Sequence, residues 1–208
     1  MTSGLWALPA YGILLALSTL THQPSIDDFD AYARYVTTGT FLLSHLAASI
    51  FGAALAILGT AAATTHLKSK IPYVLTVIAN VFLAATFGSA AFVQPGLGRA
   101  HLAGVPGMPA LNNDTAYGPA FIATALSASV LLIVAALALG TATARTRHDL
   151  RAPGIAYGIL LSLFTVSGFA YPAAQAYVGF AFAAAAAVLA YRLPRTTAAH
   201  SEPALTSA

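Results

Sequence analysis

Few side chains in this sequence can do chemistry, and one of them sits where ionisable groups are costly. His45 lies in GTFLLSHLAAS, an apolar stretch from Gly39 to Ser49. No other Asp, Glu, Lys, Arg or His falls well inside a long apolar run, and a titratable ring in hydrocarbon counts by default as a functional hypothesis. Two polar stretches are expected on the same side of the membrane as His45. THQPSIDDFDAYAR carries His22, Asp27, Asp28 and Asp30; QPGLGRAHLAGVPGMPALNNDTAYGP carries Arg99, His101, Asn112, Asn113 and Asp114.

These residue types fit three kinds of site. A small-molecule site takes His45 as its floor, with Asn80, His101 and Asp114 as further ligand-binding candidates. A metal or haem site takes His22, His45 and His101, because neutral imidazole ligates zinc, copper and iron. Asp27, Asp28 and Asp30 add hard oxygens to that set, suited to a divalent cation. A packing site needs neither: His45, neutral, hydrogen-bonds a Ser, a Thr, Asn80 or a carbonyl of the next helix, as buried polar groups must. Spacing does not choose among them. There is no HxxxH, no HxxE and no glycine-bearing calcium loop around the aspartates, and the cofactor stays unspecified.

The elements that position these residues are membrane helices. The chain is 58% hydrophobic and 7% charged, against about 25% charged for a soluble domain. So little polar surface cannot cover a globule in water, and a lipid bilayer is the natural solvent. Crossing it takes about 20 apolar residues per helix. Six runs meet or approach that length: 4–20, 36–63, 71–93, 119–140, 153–170 and 173–191. The fold class is therefore an all-α, six-transmembrane-helix bundle over residues 1–193, followed by a disordered tail, 194–208. The first run has no Lys or Arg before it and no small-residue cleavage site after it, so it reads as a span and not as a cleaved signal.

Orientation follows from the basic residues. With the N-terminus in the cytoplasm, Lys68, Lys70, Arg145, Arg147, Arg151, Arg192 and Arg195 are inside, and Arg34 and Arg99 outside. That excess fits the positive-inside rule. It places both termini in the cytoplasm and the chain in the plasma membrane. It also assigns the net charge of +3 to topology, with no nucleic acid implied. His45 then falls in the outer half of its run, about 6 Å below the core boundary if that boundary is Phe41 and about 13 Å if it is Val36. The two polar stretches lie above it. The second is long for a loop, and its prolines and glycines read as a shaped or disordered cap, not a seventh helix. Gln94 and Gln175 lie near the outer ends of their runs and are candidates for the same vestibule.

Small residues recur every fourth position at Thr40, Ser44, Ala48, Gly52, Ala56 and Thr60; at Thr76, Asn80, Ala84 and Gly88; and at Gly154, Gly158 and Ser162. Such stripes let membrane helices approach closely, or leave room for a ligand. YGILLALST from Tyr11 and YGILLSLFT from Tyr157 resemble each other, as chance or as a parallel duplication.

Several classes are excluded. The absence of cysteine removes thiolate metal sites, iron–sulfur clusters and cysteine nucleophiles. No intramembrane lysine is present for a retinal Schiff base, and no intramembrane carboxylate for an aspartyl protease or a carboxylate-coupled pump. No Walker or dinucleotide glycine pattern occurs. Three functions stay open: a small-molecule binder or transporter with an outward vestibule at His45, a membrane enzyme with an outer-face metal or haem, and an accessory subunit. The last would pair with a partner membrane subunit or a second copy.

Overall fold

The structure, a computed structural model, describes residues 2–196. They form helices and short connections with no strand among them. A 3-10 turn, Thr2–Trp6, leads into α1 (Ala7–Ser18). A short amphipathic helix, α2 (Phe29–Val36), follows. Next, α3 (Gly39–Leu46) runs through a π turn, Ala47–Phe51, into α4 (Gly52–Thr64), making one rod. The rest are α5 (Ile71–Leu102), α6 (Met108–Thr115), α7 (Pro119–Ala144), α8 (Arg151–Ala170) and α9 (Pro172–Arg192).

Five helical segments are long and apolar enough to cross a membrane: Gly39–Thr64, Ile71–Leu102, Pro119–Ala144, His148–Ala170 and Pro172–Arg195. A shorter apolar helix, Ser3–Ser18, stands beside them. This is the architecture of an integral membrane protein. The six rods pack in a closed circuit: α1 on α4, α4 on α5, α5 on α7, α7 on α8, α8 on α9 and α9 back on α1. Their outward faces carry Leu43, Phe51, Leu58, Phe92, Val130 and Phe169, all well exposed, as a lipid-facing surface requires. The cations divide by helix end. Lys68, Lys70, Arg145, Arg147, Arg151, Arg192 and Arg195 lie where α4, α7 and α9 finish and α5 and α8 begin.

Small residues make the tightest crossings. A Cβ on Gly12 would lie 2.7 Å from the Ala183 Cα, and one on Gly179 would lie 2.9 Å from the Ala16 Cα, so α1 and α9 touch backbone to backbone. Gly140 and Gly154 do the same for α7 and α8. Ala48, Gly52, Ala56, Thr60, Thr76, Asn80, Gly154 and Gly158 of the expected stripes are buried, but Thr40 is exposed because it sits in the first turn of its helix. The α1 and α9 contacts had no distinguishing pattern, since α9 is alanine on nearly every face.

Three boundaries differ from expectation. The second run does not begin as a helix at Val36. Thr38 is extended and its hydroxyl accepts from the Phe41 N–H at 3.2 Å, so it caps a new helix starting at Gly39. The third run does not stop at Val93, because α5 continues past Pro95 to Leu102. The stretch read as a helix-free cap contains α6, entered through Gly104 and Gly107, both with positive φ, a backbone region that favours glycine. At the end of the chain, 194–196 complete a 3-10 turn; the remainder of the expected tail, 197–208, lies outside the described residues.

Candidate functional site

The end of the ring opposite the basic cluster is covered by α2, α6 and the last turns of α5. The cap has its own small core of Tyr32, Val36 and Phe41. Gly98 of α5 makes room for it, since a Cβ there would lie 2.8 Å from a Val36 methyl. Polar contacts lock the pieces together. His101 Nε2 meets Asp30 Oδ1 at 2.6 Å, Tyr32 donates to Asn112 Oδ1 at 3.2 Å, and Gln23 Nε2 donates to the Tyr117 hydroxyl at 2.6 Å. The hydrogen bond from His101 holds the Asp30 carboxyl below its ordinary value. Burial raises the Tyr32 phenol, so it stays a donor.

Beneath the cap, two cavities meet at His45. The first, about 290 Å³, is walled by every ring rod: Leu15 of α1, Ser44 of α3, Phe87 of α5, Ser129 of α7, Phe164 of α8 and Gln175 of α9. The second, about 230 Å³, lies higher, against Gln23, Gln94, Tyr117 and Phe121. His45, Leu83, Phe87, Ser129 and Phe169 line both. A third void, about 10 Å³, lies deeper among Tyr11, Thr76, Asn80 and Tyr157, the space of about one water. Leu132 is the residue it shares with the first cavity.

The local chain fixes the imidazole. Its Nδ1 lies 2.9 Å from the Phe41 carbonyl, one turn back. A carbonyl only accepts, so Nδ1 carries the proton. The ring centre lies 4.0 Å from that of Phe41 and 5.7 Å from that of Phe87, tilted against both. Immediately after it the helix widens into the π turn, and Ser49 Oγ donates to the His45 carbonyl at 2.6 Å. Such single π turns inside α-helices recur at functional sites. Gly52 permits this one, because a Cβ would lie 2.9 Å from the Ala47 carbonyl and 3.3 Å from the Tyr11 ring.

The hydroxyls of the first cavity are acceptors. Ser18, Thr19, Ser44, Ser129 and Thr165 each give their hydroxyl proton to a carbonyl of their own helix. Gln175 spends one N–H on the Phe164 carbonyl at 3.3 Å. His45 Nε2 has no hydrogen-bond partner among the described residues. In the neutral ring it carries a lone pair, on a residue that lines both cavities. The pocket is therefore apolar in its walls and acceptor-rich in its polar spots.

No family model, curated protein or solved structure matches this chain. Its site is read from its own geometry.

That geometry redistributes the residues singled out in the sequence. His45 is at the centre, bonded to a carbonyl of its own helix and not of the next. Gln175 lines the first cavity and Gln94 the second. Asn80 does not join them; it lies below Leu132, its Nδ2 donating to the Thr76 carbonyl at 2.8 Å and its Oδ1 without a partner. His101 and Asp30 pair with each other in the cap. Asp28 caps α2 by accepting from the Ala31 N–H at 3.0 Å, and Asp27 accepts from Ser25. His22 and Asp114 are exposed and line neither cavity. Among the described residues no group of three or more His, Asp or Glu is placed to hold a metal ion. Asp27, Asp28, Asp30 and His101 make contacts within the cap itself. Phe87, Ser129, Leu132, Phe169 and Tyr117 had no signal in the sequence, where aromatic and leucine residues occur in every run and serine in most.

Proposed function

We propose that this chain is a six-span membrane protein that binds a small, largely apolar molecule bearing a hydrogen-bond donor, in the cavity at His45. Binding there is the recognition step of a small-molecule binder or transporter. The observation that carries the reading is the free Nε2 of His45 in a cavity whose hydroxyl donors are all turned back on their own helices. A ligand group with an N–H or O–H gains a partner there; a ligand acceptor finds few. With no carboxylate among the cavity's lining residues, the donor is neutral and not an ammonium.

In this reading α1 is the sixth span. Its sixteen-residue apolar stretch, Ser3–Ser18, is about 24 Å long at 1.5 Å per residue, short of a core of about 30 Å. Tilt-free crossing with slight local thinning accommodates that mismatch, and its place in the ring between α4 and α9 supports it. The basic end lies in the cytoplasm by the positive-inside rule, which puts both termini inside and turns the cap and cavity outward, in the plasma membrane.

The test uses the absence of native cysteine. In Ala48→Cys the sole thiol lines the first cavity. The account expects 2-naphthol, an aromatic with one O–H, to slow its alkylation in a saturable way, and 2-methylnaphthalene, nearly the same shape without the donor, to slow it less. An alkylation rate untouched by either compound contradicts the reading.

A further inference from the structure

At the opposite end of the ring, we infer that a groove between α5 and α7 is a binding site for one anionic phospholipid. The groove measures about 640 Å³ and runs from Lys68 and Arg145 at its mouth to Val134, Leu137 and Ala138 along its length. Neither cation has an ion-pair partner among the described residues; the one acid near them, Asp149, is paired with Arg147. The two positive charges come from different connections, one after α4 and one after α7, and the fold brings them to the same opening.

The walls identify the ligand as a lipid. Ile71, Val134 and Leu137 are 65%, 43% and 44% exposed and face outward from the ring, where hydrocarbon is the solvent. A free phosphate would use the cations and leave this apolar channel empty. A phospholipid uses both: its phosphate sits between Lys68 and Arg145, and an acyl chain lies along Val134 and Leu137. Ser69 adds a hydroxyl at the mouth; it accepts from the Ile71 N–H at 3.2 Å and keeps its own proton to donate. Basic pockets between membrane helices are suited to anionic headgroups. This site is independent of the His45 cavity, which opens at the other end.

The experiment is native mass spectrometry of the full chain released from mixed micelles of dioleoylphosphatidylglycerol and dioleoylphosphatidylcholine. Wild type is expected to retain one phosphatidylglycerol in preference to phosphatidylcholine. Lys68→Gln with Arg145→Gln should reduce that preference roughly 30-fold, at about fivefold per cation near an anionic headgroup. Arg151→Gln with Arg192→Gln removes the same charge at the same end and should leave the preference intact. Ala138→Trp fills the channel without touching charge and should also expel the lipid, which covers the case in which the double variant fails to fold. Equal loss in both charge variants, retention of phosphatidylglycerol by Ala138→Trp, or its displacement by excess inorganic phosphate would overturn the assignment.

Discussion

Phe41 holds His45 from two directions: its carbonyl accepts a hydrogen bond from Nδ1 at 2.9 Å, and its ring lies against the imidazole, centroids 4.0 Å apart and planes tilted by 37°. One residue thereby sets the tautomer and the plane, and leaves Nε2 as the reactive edge. Phe41 is itself fully buried in the cap core. The orientation of the histidine is thus tied to the seating of the cap, and a loosened cap should be felt at His45.

The cap contact gives a pH prediction. Hydrogen bonding to His101 lowers Asp30 below its ordinary 3.8. A carboxylate depressed in the folded state adds stability above its unfolded value and loses it as pH falls through the folded one. The Asp30 contribution to cap seating should therefore be present above about pH 4 and lost progressively below it, as pH falls through the depressed folded value. Hydrogen exchange of α2 measured at pH 7 should rise in Asp30→Asn and in His101→Ala. Unchanged α2 protection in both would show that the apolar contacts alone seat the cap.

Leu132 should act as the floor of the first cavity. With a thiol reagent in solution, Ala48→Cys above it should react and Ala135→Cys, which lines the deep void, should not. Adding Leu132→Ala to Ala135→Cys removes the shared wall and should raise its alkylation rate. Equal rates with and without Leu132 would mean that the void is reached by another route.

Two glycines should respond oppositely to alanine. At Gly12 the new methyl meets backbone of Ala183, which cannot move without shifting α9, and overpacking of this kind costs about 1–3 kcal/mol. At Gly88 nothing lies within 4 Å, so Gly88→Ala should stabilise by up to about 1 kcal/mol through helix propensity. Equilibrium unfolding in mixed detergent micelles measures both. Destabilisation by Gly88→Ala would indicate that its backbone serves something besides packing.

How far the sequence carried these conclusions differs by element. Hydrophobic run length was enough for the long helices, because lipid imposes one length on any segment that crosses it. It misjudged their ends. Val36 and Phe41 are both apolar, yet the chain breaks between them, and the sign was Thr38 with Gly39, capping chemistry inside a stretch taken as one run. The third run was expected to end at Val93, but α5 passes through Pro95, with α2 and α6 packed along its extension. The partner of His45 was not legible: a histidine can bond four residues back as readily as across to a neighbour. The aspartates looked like metal ligands by type, and only the folded cap shows that Asp28 is a helix cap and Asp30 a hinge pin for His101. The likeness of the two YGILL segments does have a spatial counterpart. Tyr11 and Tyr157 both turn edgewise to Phe182, with ring centres at 6.0 and 5.0 Å, because α1 and α8 flank α9.

The central claim is that His45 Nε2 accepts a hydrogen bond from the bound molecule. Its most direct measurement is equilibrium binding of 2-naphthol and 2-methylnaphthalene to the protein in nanodiscs, with empty nanodiscs subtracted, in wild type and in His45→Leu. Leucine keeps apolar volume and removes the acceptor. Wild type should prefer 2-naphthol about fivefold, the worth of about 1 kcal/mol for one net hydrogen bond, and His45→Leu should bind the two compounds equally. The same preference in both proteins, or no saturable binding to wild type, would contradict the claim.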